Sequence, residues 1–436
     1  GSRGSAPRTP PSGGPPGALP GAAAAGPSRG ACGGPPQPRP ESHPQCADSR
    51  LTHEHVHRRN EARASVGLGA PISGVAMDGG RAALCVVLLV AAGVGLSEGA
   101  KDVRADVFVA TEQELGCEKF RMPSLVISGS SILVFVACET KLHGPTAIVV
   151  KTSEDLSGEK WGGARIAAGV NGSTFDGTNR YCPVAIADPA PSGRITLQYL
   201  SWGATGQGKP GSCHVSEVVS TDHGASFSAV PRCLDSFLDQ GTVGSTSPGA
   251  ALRLRSPPGR VLWSGHNGMG GGSSGPGGGA YFWYSDDAGA TYHLSAPISG
   301  MRYYSESQLA ELPGGTVVAV LRNNRSSTLP QPPCKAMSCS TDHGATFGEP
   351  FFDRNLLSSN CQSGVVSTAQ HLAVSTPVGP VHQPCNMTVY ITDATAAVET
   401  CRSAGAVRNK WHALASLWAG PAAYSSLGHD PAAQRL

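Results

Sequence analysis

One eight-residue pattern occurs three times in this chain and strongly limits the folds available to it. Each copy reads Ser-x-Asp-x-Gly-x-x-aromatic, and the aspartates are Asp222, Asp287 and Asp342. We call the segments 220–227, 285–292 and 340–347 the Asp-box turns. In such a turn the carboxylate accepts hydrogen bonds from nearby backbone N–H groups, the glycine adopts a positive φ, and the aromatic ring packs against its own sheet. We therefore expect structural aspartates that face away from the chemistry. A degraded fourth copy occupies residues 153–161.

The spacing of the Asp-box turns predicts one turn per sheet. Their aspartates lie 65 and 55 residues apart, which is enough chain for a four-stranded antiparallel sheet with its loops. Short segments rich in β-branched residues, such as 131–137 and 316–321, are bounded by turn residues, as strands are. We therefore expect an all-β fold, a six-bladed β-propeller. The alternative is a solenoid or a two-sheet sandwich that carries the same turns.

The amino-terminal part of the chain has a different composition. Residues 1–76 are dominated by Pro, Gly, Ala, Ser and Arg and are expected to be a disordered, non-native leader. Met77 then precedes an apolar run and small polar residues, so residues 77–100 are interpreted as a signal peptide. The apolar run is shorter than the roughly 20 residues of a membrane-spanning helix. The propeller is assigned to 101–436. An uncleaved signal anchor is the alternative and would be the only contact with a membrane.

Charge and cysteine content narrow the partners and the compartment. The formal net charge of +2 and the lack of a basic stripe argue against nucleic acid. Ten cysteines follow residue 100, an even number that permits disulfides, and we expect a local bridge between Cys334 and Cys339. Without a Cys-x-x-Cys pair, no metal site is expected. Sequons at Asn171, Asn324 and Asn386 suit the secretory pathway, with a lysosomal, extracellular or membrane-associated product.

Three further motifs resemble those of sialidases. Residues 120–123, Phe-Arg-Met-Pro, resemble the Phe/Tyr-Arg-Ile-Pro element that opens sialidase propellers. Residues 305–318 resemble the family segment Glu-x-Gln-x-x-Glu-Leu-x-x-Gly, and Arg322 follows where the family has its second carboxylate-binding arginine. Residues 417–427 resemble Gly-Pro-x-x-Tyr-Ser-x-Leu, which holds the catalytic tyrosine, with flanks most like those of animal lysosomal-type sialidases.

The resemblance implies an exo-α-sialidase that acts on sialylated glycoproteins, glycolipids or oligosaccharides without a cofactor. Arg121 and Arg322 would bind the sialic acid carboxylate through paired, charge-assisted hydrogen bonds. Tyr424 would attack the anomeric carbon while Glu306 accepts its phenolic proton. A neutral phenol suits this role because the carboxylate on the anomeric carbon would repel an anionic nucleophile. A packed tyrosine and a surface glutamate are the alternatives.

The chain departs from the sialidase pattern near the first of these motifs. The family has Glu-x-Arg followed by an aspartate that serves as general acid and base. Here Glu139 matches, Lys141 stands at the arginine position, and no aspartate follows. His143 is nearest to the missing group and is the candidate acid/base. The alternative is an exposed loop histidine.

The carboxyl-terminal part departs as well. No arginine is present in residues 375–388, where the third carboxylate-binding arginine belongs, and no closing strand follows Tyr424 before Leu436. We expect an incomplete last blade, from truncation or from an error of exon joining. The second hypothesis is therefore a catalytically impaired propeller that binds sialylated glycans. A receptor-type propeller for protein ligands is a third, against which the Tyr424 and Glu306 motifs argue.

Overall fold

The structure is a computed structural model, and it describes part of the chain. The described residues are 88–89, 103–104, 107–108, 114–139, 146–153, 155–169, 178–202, 213–238, 243–257, 259–267, 279–298, 304–323, 333–380 and 383–429. The predicted leader lies outside them, as does the predicted signal peptide apart from two residues. The division at residues 76 and 100 therefore stays a prediction.

The strands form one short pair and five larger sheets. The short pair consists of the antiparallel strands β1 (Leu88–Leu89) and β2 (Val103–Arg104). Blade 1 consists of the strands β3 (Lys119–Ser128), β4 (Ser131–Glu139), β5 (Thr146–Thr152) and β6 (Arg165–Ala168). Blade 2 consists of the strands β7 (Asn179–Ala187), β8 (Ile195–Trp202), β9 (Cys213–Ser220) and β10 (Arg232–Cys233).

The other three blades repeat this plan. Blade 3 contains β11 (Ser245–Thr246), β13 (Leu252–Arg253), β14 (Val261–Asn267), β15 (Gly279–Ser285) and β16 (His293–Leu294), while β12 (Gly249–Ala250) pairs in parallel with β7. Blade 4 consists of β17 (Tyr304–Glu311), β18 (Val317–Asn323), β19 (Cys334–Ser340) and β20 (Phe351–Leu357). Blade 5 consists of β21 (Gly364–Ser367), β22 (His371–Pro377), β23 (Cys385–Asp393) and β24 (His412–Pro421), with helix α1 (Ala394–Arg402) before β24.

The all-β class and the propeller architecture are confirmed. Successive strands of blades 1, 2, 4 and 5 are antiparallel neighbours, as the turn spacing predicts, whereas in blade 3 both β11 and β13 pair with β14. The predicted count of six blades is not confirmed, because the described residues form five. Among those residues no helix is long and apolar enough to cross a membrane.

The near-continuous apolar sequence of β4 follows from its position between two packed layers. Leu133, Phe135 and Ala137 belong to one buried cluster, which they share with blade 2. The intervening residues Ile132 and Val134 belong to a second cluster on the opposite face. Side chains alternate between the faces of a strand, so both sets must be apolar when both faces are covered.

The Asp-box turns have the hydrogen bonds that their sequence predicts. In the second copy, Asp287 Oδ1 accepts from the backbone N–H of Thr291 at 2.9 Å, and the Gly289 N–H donates to Ser285 Oγ at 2.8 Å. The other two copies repeat these contacts. Gly289 has φ +88°, a left-handed conformation that favours glycine. In the degraded copy, Asp155 accepts from the Ser157 N–H at 2.8 Å.

The aromatic residues of these turns also contact the preceding blade, which the sequence did not predict. Phe227 of blade 2 meets Phe135 of blade 1, with ring centroids 5.8 Å apart, and Phe347 of blade 4 meets Phe282 of blade 3 at 4.4 Å. Phe227 and Phe347 thus contact the preceding blade, and each belongs to an apolar cluster that also contains residues of its own blade. The reason is that each turn overhangs the neighbouring blade, where a Cβ on Gly344 would lie 2.0 Å from a methyl group of Leu262.

An arginine from the preceding blade also holds each Asp-box turn. In every case the guanidinium donates to a backbone carbonyl of the turn, which satisfies an acceptor that strand pairing leaves free. The pairs are Arg165 with Ala225 at 3.0 Å, Arg194 with Ala288 at 3.1 Å, and Arg260 with His343 at 3.1 Å.

The disulfides correct one expectation. The bridges between described residues are Cys117–Cys138, Cys213–Cys233 and Cys339–Cys401. The predicted bridge between Cys334 and Cys339 is wrong, because both lie on β19 and Cys334 is free. Five residues of extended strand span about 16 Å, whereas a disulfide needs Cα atoms within about 7 Å.

The segment 422–429, which follows β24, connects the last blade to the first. The Gly364 N–H of blade 5 donates to Ser425 Oγ at 2.9 Å, and the Leu125 N–H of blade 1 donates to Ser426 Oγ at 3.1 Å. Leu427 is buried beside Ala373 of blade 5. This segment places Tyr424 between the two blades.

Candidate active site

Three of the predicted residues meet at one point. Tyr424 Oη donates to Glu306 Oε1 at 2.9 Å, and Arg322 Nη1 donates to Glu306 Oε2 at 2.5 Å. Glu306 lies on β17 and Arg322 on the adjacent strand β18, whereas Tyr424 comes from the segment 422–429. The glutamate is therefore held between a phenol and a guanidinium, one on each carboxylate oxygen.

Local backbone irregularities aim these side chains. The pairing of β17 with β18 shifts register between Tyr304 and Ser307, so that Glu306 lies in the irregular stretch. The pairing of β3 with β4 shifts in the same way beside Arg121. Tyr424 itself has φ +59°, a costly conformation for a residue with a bulky side chain. Bulges and strained residues of this kind occur where a side chain must be re-aimed.

Arg121 approaches the same centre from blade 1. Its Nη1 lies 3.3 Å from Glu139 Oε1, and Glu139 is buried. Burial lowers the pKa of Arg121, but the charges of Glu139 and Tyr424 outweigh burial and hold that pKa above its ordinary value. Tyr424 packs against the apolar cluster that contains Met122, the residue after Arg121 in β3. Arg121, Glu306, Arg322 and Tyr424 therefore converge.

The environment separates the acidities of the central pair. Burial raises the pKa of Glu306, but the charge of Arg322 and hydrogen bonds from Arg322 and Tyr424 outweigh burial and hold that pKa below its ordinary value. Burial, and then the charge of Glu306, raises the pKa of the Tyr424 phenol well above its ordinary value. At neutral pH the pair thus consists of a carboxylate acceptor and a neutral phenol donor.

Five further predicted residues remain to be placed. Lys141 and His143 lie in 140–145, outside the described residues, so their places in the site stay predictions. Asp222, Asp287 and Asp342 lie in the Asp-box turns, where each carboxylate is occupied by hydrogen bonds within its own turn.

Three further residues contact or surround the cluster without having been predicted. Asn360 Oδ1 accepts from Arg322 Nε at 2.9 Å. Lys335 and His266 are buried, and both interact electrostatically with Glu306 and Arg322. Buried charged residues are rare, so the lysine in the apolar segment 334–338 carried a weak signal. Nothing in the local sequence singles out Asn360.

The site lies at the amino-terminal ends of the inner strands. Arg121 and Glu306 both occur near the beginnings of their strands, β3 and β17. A cavity of about 560 Å³ lies farther along the same strands, lined by residues such as Leu125, Ala187 and Leu309. None of the four converging residues lines this cavity.

One group of potential metal ligands occurs among the described residues. It consists of Cys213, Cys233 and Asp235. The two cysteines form a disulfide, so neither offers the thiolate that a metal requires. Asp235 instead accepts from His214, whose ring Nδ1 lies 2.9 Å away.

Comparison with known proteins identifies the fold. No family model and no curated protein sequence matches this chain. The intramolecular trans-sialidase from Ruminococcus gnavus has a similar structure, with a TM-score of 0.57 and 14% identity over 75% of this chain and 91% of that one. The Hadza microbial sialidase Hz136 gives 0.56 and 18%, over 74% of this chain and 64% of its own length. The chain has a sialidase-like fold.

A leech intramolecular trans-sialidase supports the same conclusion. Its structure gives a TM-score of 0.56 at 15% identity, over 77% of this chain and 66% of that one. At such identities the likeness concerns the fold alone, since one fold serves many activities. The activity of this sialidase-like propeller must therefore be argued from its own residues.

Proposed function

We propose that this chain is an exo-α-sialidase that releases terminal sialic acids from glycoproteins, glycolipids or oligosaccharides. The observation that carries the proposal is the hydrogen bond from Tyr424 to Glu306, with Arg322 on the second carboxylate oxygen. A phenol needs a base within hydrogen-bond reach before it can act as a nucleophile near neutral pH. Glu306 meets that requirement in geometry and in charge.

The proposed reaction has two steps, which form and then break a bond to Tyr424. Arg121 and Arg322 bind the substrate carboxylate, since their planar guanidinium groups match its two oxygens. Tyr424 Oη attacks the anomeric carbon, its proton passes to Glu306, and the bond to the leaving oxygen breaks. The leaving oxygen takes a proton from the general acid. In the second step the deprotonated acid accepts a proton from water, the water oxygen attacks the anomeric carbon as the bond to Tyr424 Oη breaks, and Glu306 returns its proton to the phenolate.

His143 is the proposed general acid and base, and Lys141 is the proposed partner of the substrate carboxylate in blade 1. Both assignments rest on sequence position beside Glu139. Replacing a general acid slows a reaction by about 10²–10⁴-fold. If His143→Ala left hydrolysis unchanged while Lys141→Ala weakened substrate binding, only the second assignment would stand.

Hydrolysis of a fluorogenic α-sialoside between pH 4 and 7 tests the proposal. The wild type should release the fluorophore, and Tyr424→Phe should lose about 1,000-fold or more in kcat because the nucleophile is absent. Tyr390→Phe is the matched control, since Tyr390 is also partly buried but lies on β23 away from Glu306. Equal rates for wild type and Tyr424→Phe would refute hydrolysis. Product analysis also distinguishes free sialic acid from a 2,7-anhydro product.

A specific observation favours a second function, the binding of sialylated glycans without turnover. The described site brings together two arginines, whereas the resemblance implies three, and no aspartate follows Glu139. Such a protein would retain its sialoside on a glycan array and release no product. Turnover at rates typical of enzymes would reject this alternative.

The finer assignments belong to the same proposal. We propose that the turns are family Asp-box repeats, that the complete propeller has six blades, and that its nearest relatives are animal lysosomal-type sialidases. Three disulfides between described residues support passage through the secretory pathway. The product would then be lysosomal, extracellular or membrane-associated.

A further inference from the structure

One short stretch of chain contacts both sides of the candidate active site. We call residues Asn360, Cys361 and Gln362 the 360–362 segment; it connects β20 of blade 4 to β21 of blade 5. Its first member, Asn360, accepts from Arg322 Nε at 2.9 Å. Arg322 Nη1 is directed to Glu306, so Nη2 keeps no hydrogen-bond partner among the described residues. Asn360 thereby fixes the plane of the guanidinium and leaves one edge open.

The other two members hold the backbone of the tyrosine. The Tyr424 N–H donates to Cys361 Sγ at 3.4 Å. Gln362 pairs with both backbone groups of Ser425, since its Oε1 accepts from the Ser425 N–H and its Nε2 donates to the Ser425 carbonyl, each at 2.9 Å. Gln362 is fully buried, and its Nε2 also donates to the Pro248 carbonyl at 2.9 Å. These bonds hold the chain where Tyr424 adopts its left-handed conformation.

A buried lysine binds the backbone of the 360–362 segment. Lys335 of β19 is 1% exposed, and its Nζ donates to the Cys361 carbonyl. Its charged neighbours are Arg322 and Glu306. Burial lowers the pKa of Lys335 from 10.5 to about 7. A lysine in such an environment costs stability, so a stabilising contribution does not explain its presence at this position.

We propose that the 360–362 segment and Lys335 form a positioning unit that sets the Tyr424 phenol against Glu306 and fixes the plane of Arg322. The unit contacts Arg322 and the backbone of Tyr424, and Lys335 interacts electrostatically with Glu306. None of its members needs to touch the substrate. The inference deepens the proposed sialidase function and rests on it. A misplacement of about 1 Å can cost about 100-fold in rate. Loss of the Lys335 side chain should therefore lower kcat.

The test compares Lys335→Met, Lys335→Arg and the control Lys151→Met. Lys151 is also a buried lysine, but it pairs with Glu114 at 2.5 Å in blade 1. Lys335→Met should lower kcat by about 10- to 100-fold with KM changed less than about threefold, and Lys335→Arg should recover part of kcat. Lys151→Met should keep the wild-type kcat. Equal kcat in wild type and Lys335→Met would overturn the proposal, as would equal losses of kcat in Lys335→Met and Lys151→Met.

A second readout needs no activity. The ionisation of Tyr424 is followed by ultraviolet difference absorbance, with Tyr424→Phe subtracted in each background. In the wild type the raised pKa of Tyr424 should suppress its ionisation near pH 10. In Lys335→Met the phenol should leave its buried position beside Glu306, so its ionisation should begin at a lower pH. An unchanged titration would overturn the proposal. If the wild type cleaves no sialoside but Lys335→Met still ionises Tyr424 at a lower pH than the wild type, the sialidase function is rejected and the positioning unit is retained.

Asn360→Ala keeps the proposal testable if Lys335→Met does not fold. Asn360 is only half-buried, and the change removes a contact to Arg322 without touching Tyr424. We expect KM to rise about 10-fold, because Arg322 loses its fixed plane, with the Tyr424 titration unchanged. An unaltered KM would contradict the role of Asn360.

Discussion

Arg322 combines two roles at the residue scale. One edge of its guanidinium lies on Glu306 and neutralises a carboxylate that burial would otherwise protonate. The same group is the proposed ligand of the substrate carboxylate. The sequence predicted Arg322 from its position after β17, but its contact with Glu306 depends on the pairing of two strands.

Arg322→Gln should shift the acidic limb of the kcat profile to higher pH. Without the positive charge, burial dominates and the pKa of Glu306 rises, so the base is lost as pH falls through a higher value. We also expect kcat/KM to fall by about 10- to 100-fold, from the loss of charge-assisted hydrogen bonds. The measurement is kcat as a function of pH.

Arg121→Gln is the matched control for that shift. Arg121 pairs with Glu139 and makes no hydrogen bond to Glu306. This variant should weaken substrate binding, whereas its acidic limb should remain in place. A shift of the same size in both variants would contradict the specific role of Arg322.

At the scale of elements, the Asp-box turns act as joints between blades. Each turn is closed by its own serine and aspartate and is then clamped by an arginine of the preceding blade. The sequence repeat revealed the closed turn because those bonds lie within five residues. The clamping arginines were not recognised, because their partners lie 60 to 94 residues away.

Arg260→Ala should lower the free energy of unfolding by about 1–3 kcal/mol, because it leaves a carbonyl unpaired and removes a charged hydrogen bond. Arg260 donates to Asp286 at 2.7 Å and to the His343 carbonyl at 3.1 Å, and its guanidinium lies 4.0 Å from the centroid of the Tyr284 ring. Denaturant unfolding measures the change.

Arg402→Ala serves as the control for Arg260→Ala. The Arg402 side chain is 69% exposed and lies 4.0 Å from Glu399, so its removal should change stability by less than about 0.5 kcal/mol. Similar losses in the two variants would argue against a joint between blades 3 and 4.

At the scale of the whole molecule, the described part of the propeller is joined by the segment 422–429. This segment contacts blade 1 through Ser426 and blade 5 through Ser425, and it carries Tyr424. Joining of the blades and placement of Tyr424 therefore depend on the same eight residues.

Ser426→Ala should lower stability and kcat together. The variant loses the bond from the Leu125 N–H, at a cost of about 1 kcal/mol or more, and loosens the chain two residues from Tyr424. Ser228→Ala removes a bond of the same kind and length, 3.1 Å from the Val219 N–H, within a single blade. Thermal unfolding and kcat should show a coupled loss only in Ser426→Ala. A stable variant with reduced kcat would separate the two roles.

The sequence by itself determined the features that neighbouring residues encode. The Asp-box turns and the buried strand β4 follow from hydrogen bonds and side-chain alternation over a few residues. Motifs in the sequence also identified Arg121, Glu306, Arg322 and Tyr424, through their resemblance to sialidases.

Only the tertiary structure decided which residues meet. Tyr424 and Glu306 are 118 residues apart, and Cys339 pairs with Cys401 across 62 residues. The contacts of Lys335 with the Cys361 carbonyl and of Asn360 with Arg322 also form only when the blades are assembled. Such contacts depend on the path of the whole chain, because the register and angle of every intervening strand set the final position of each side chain.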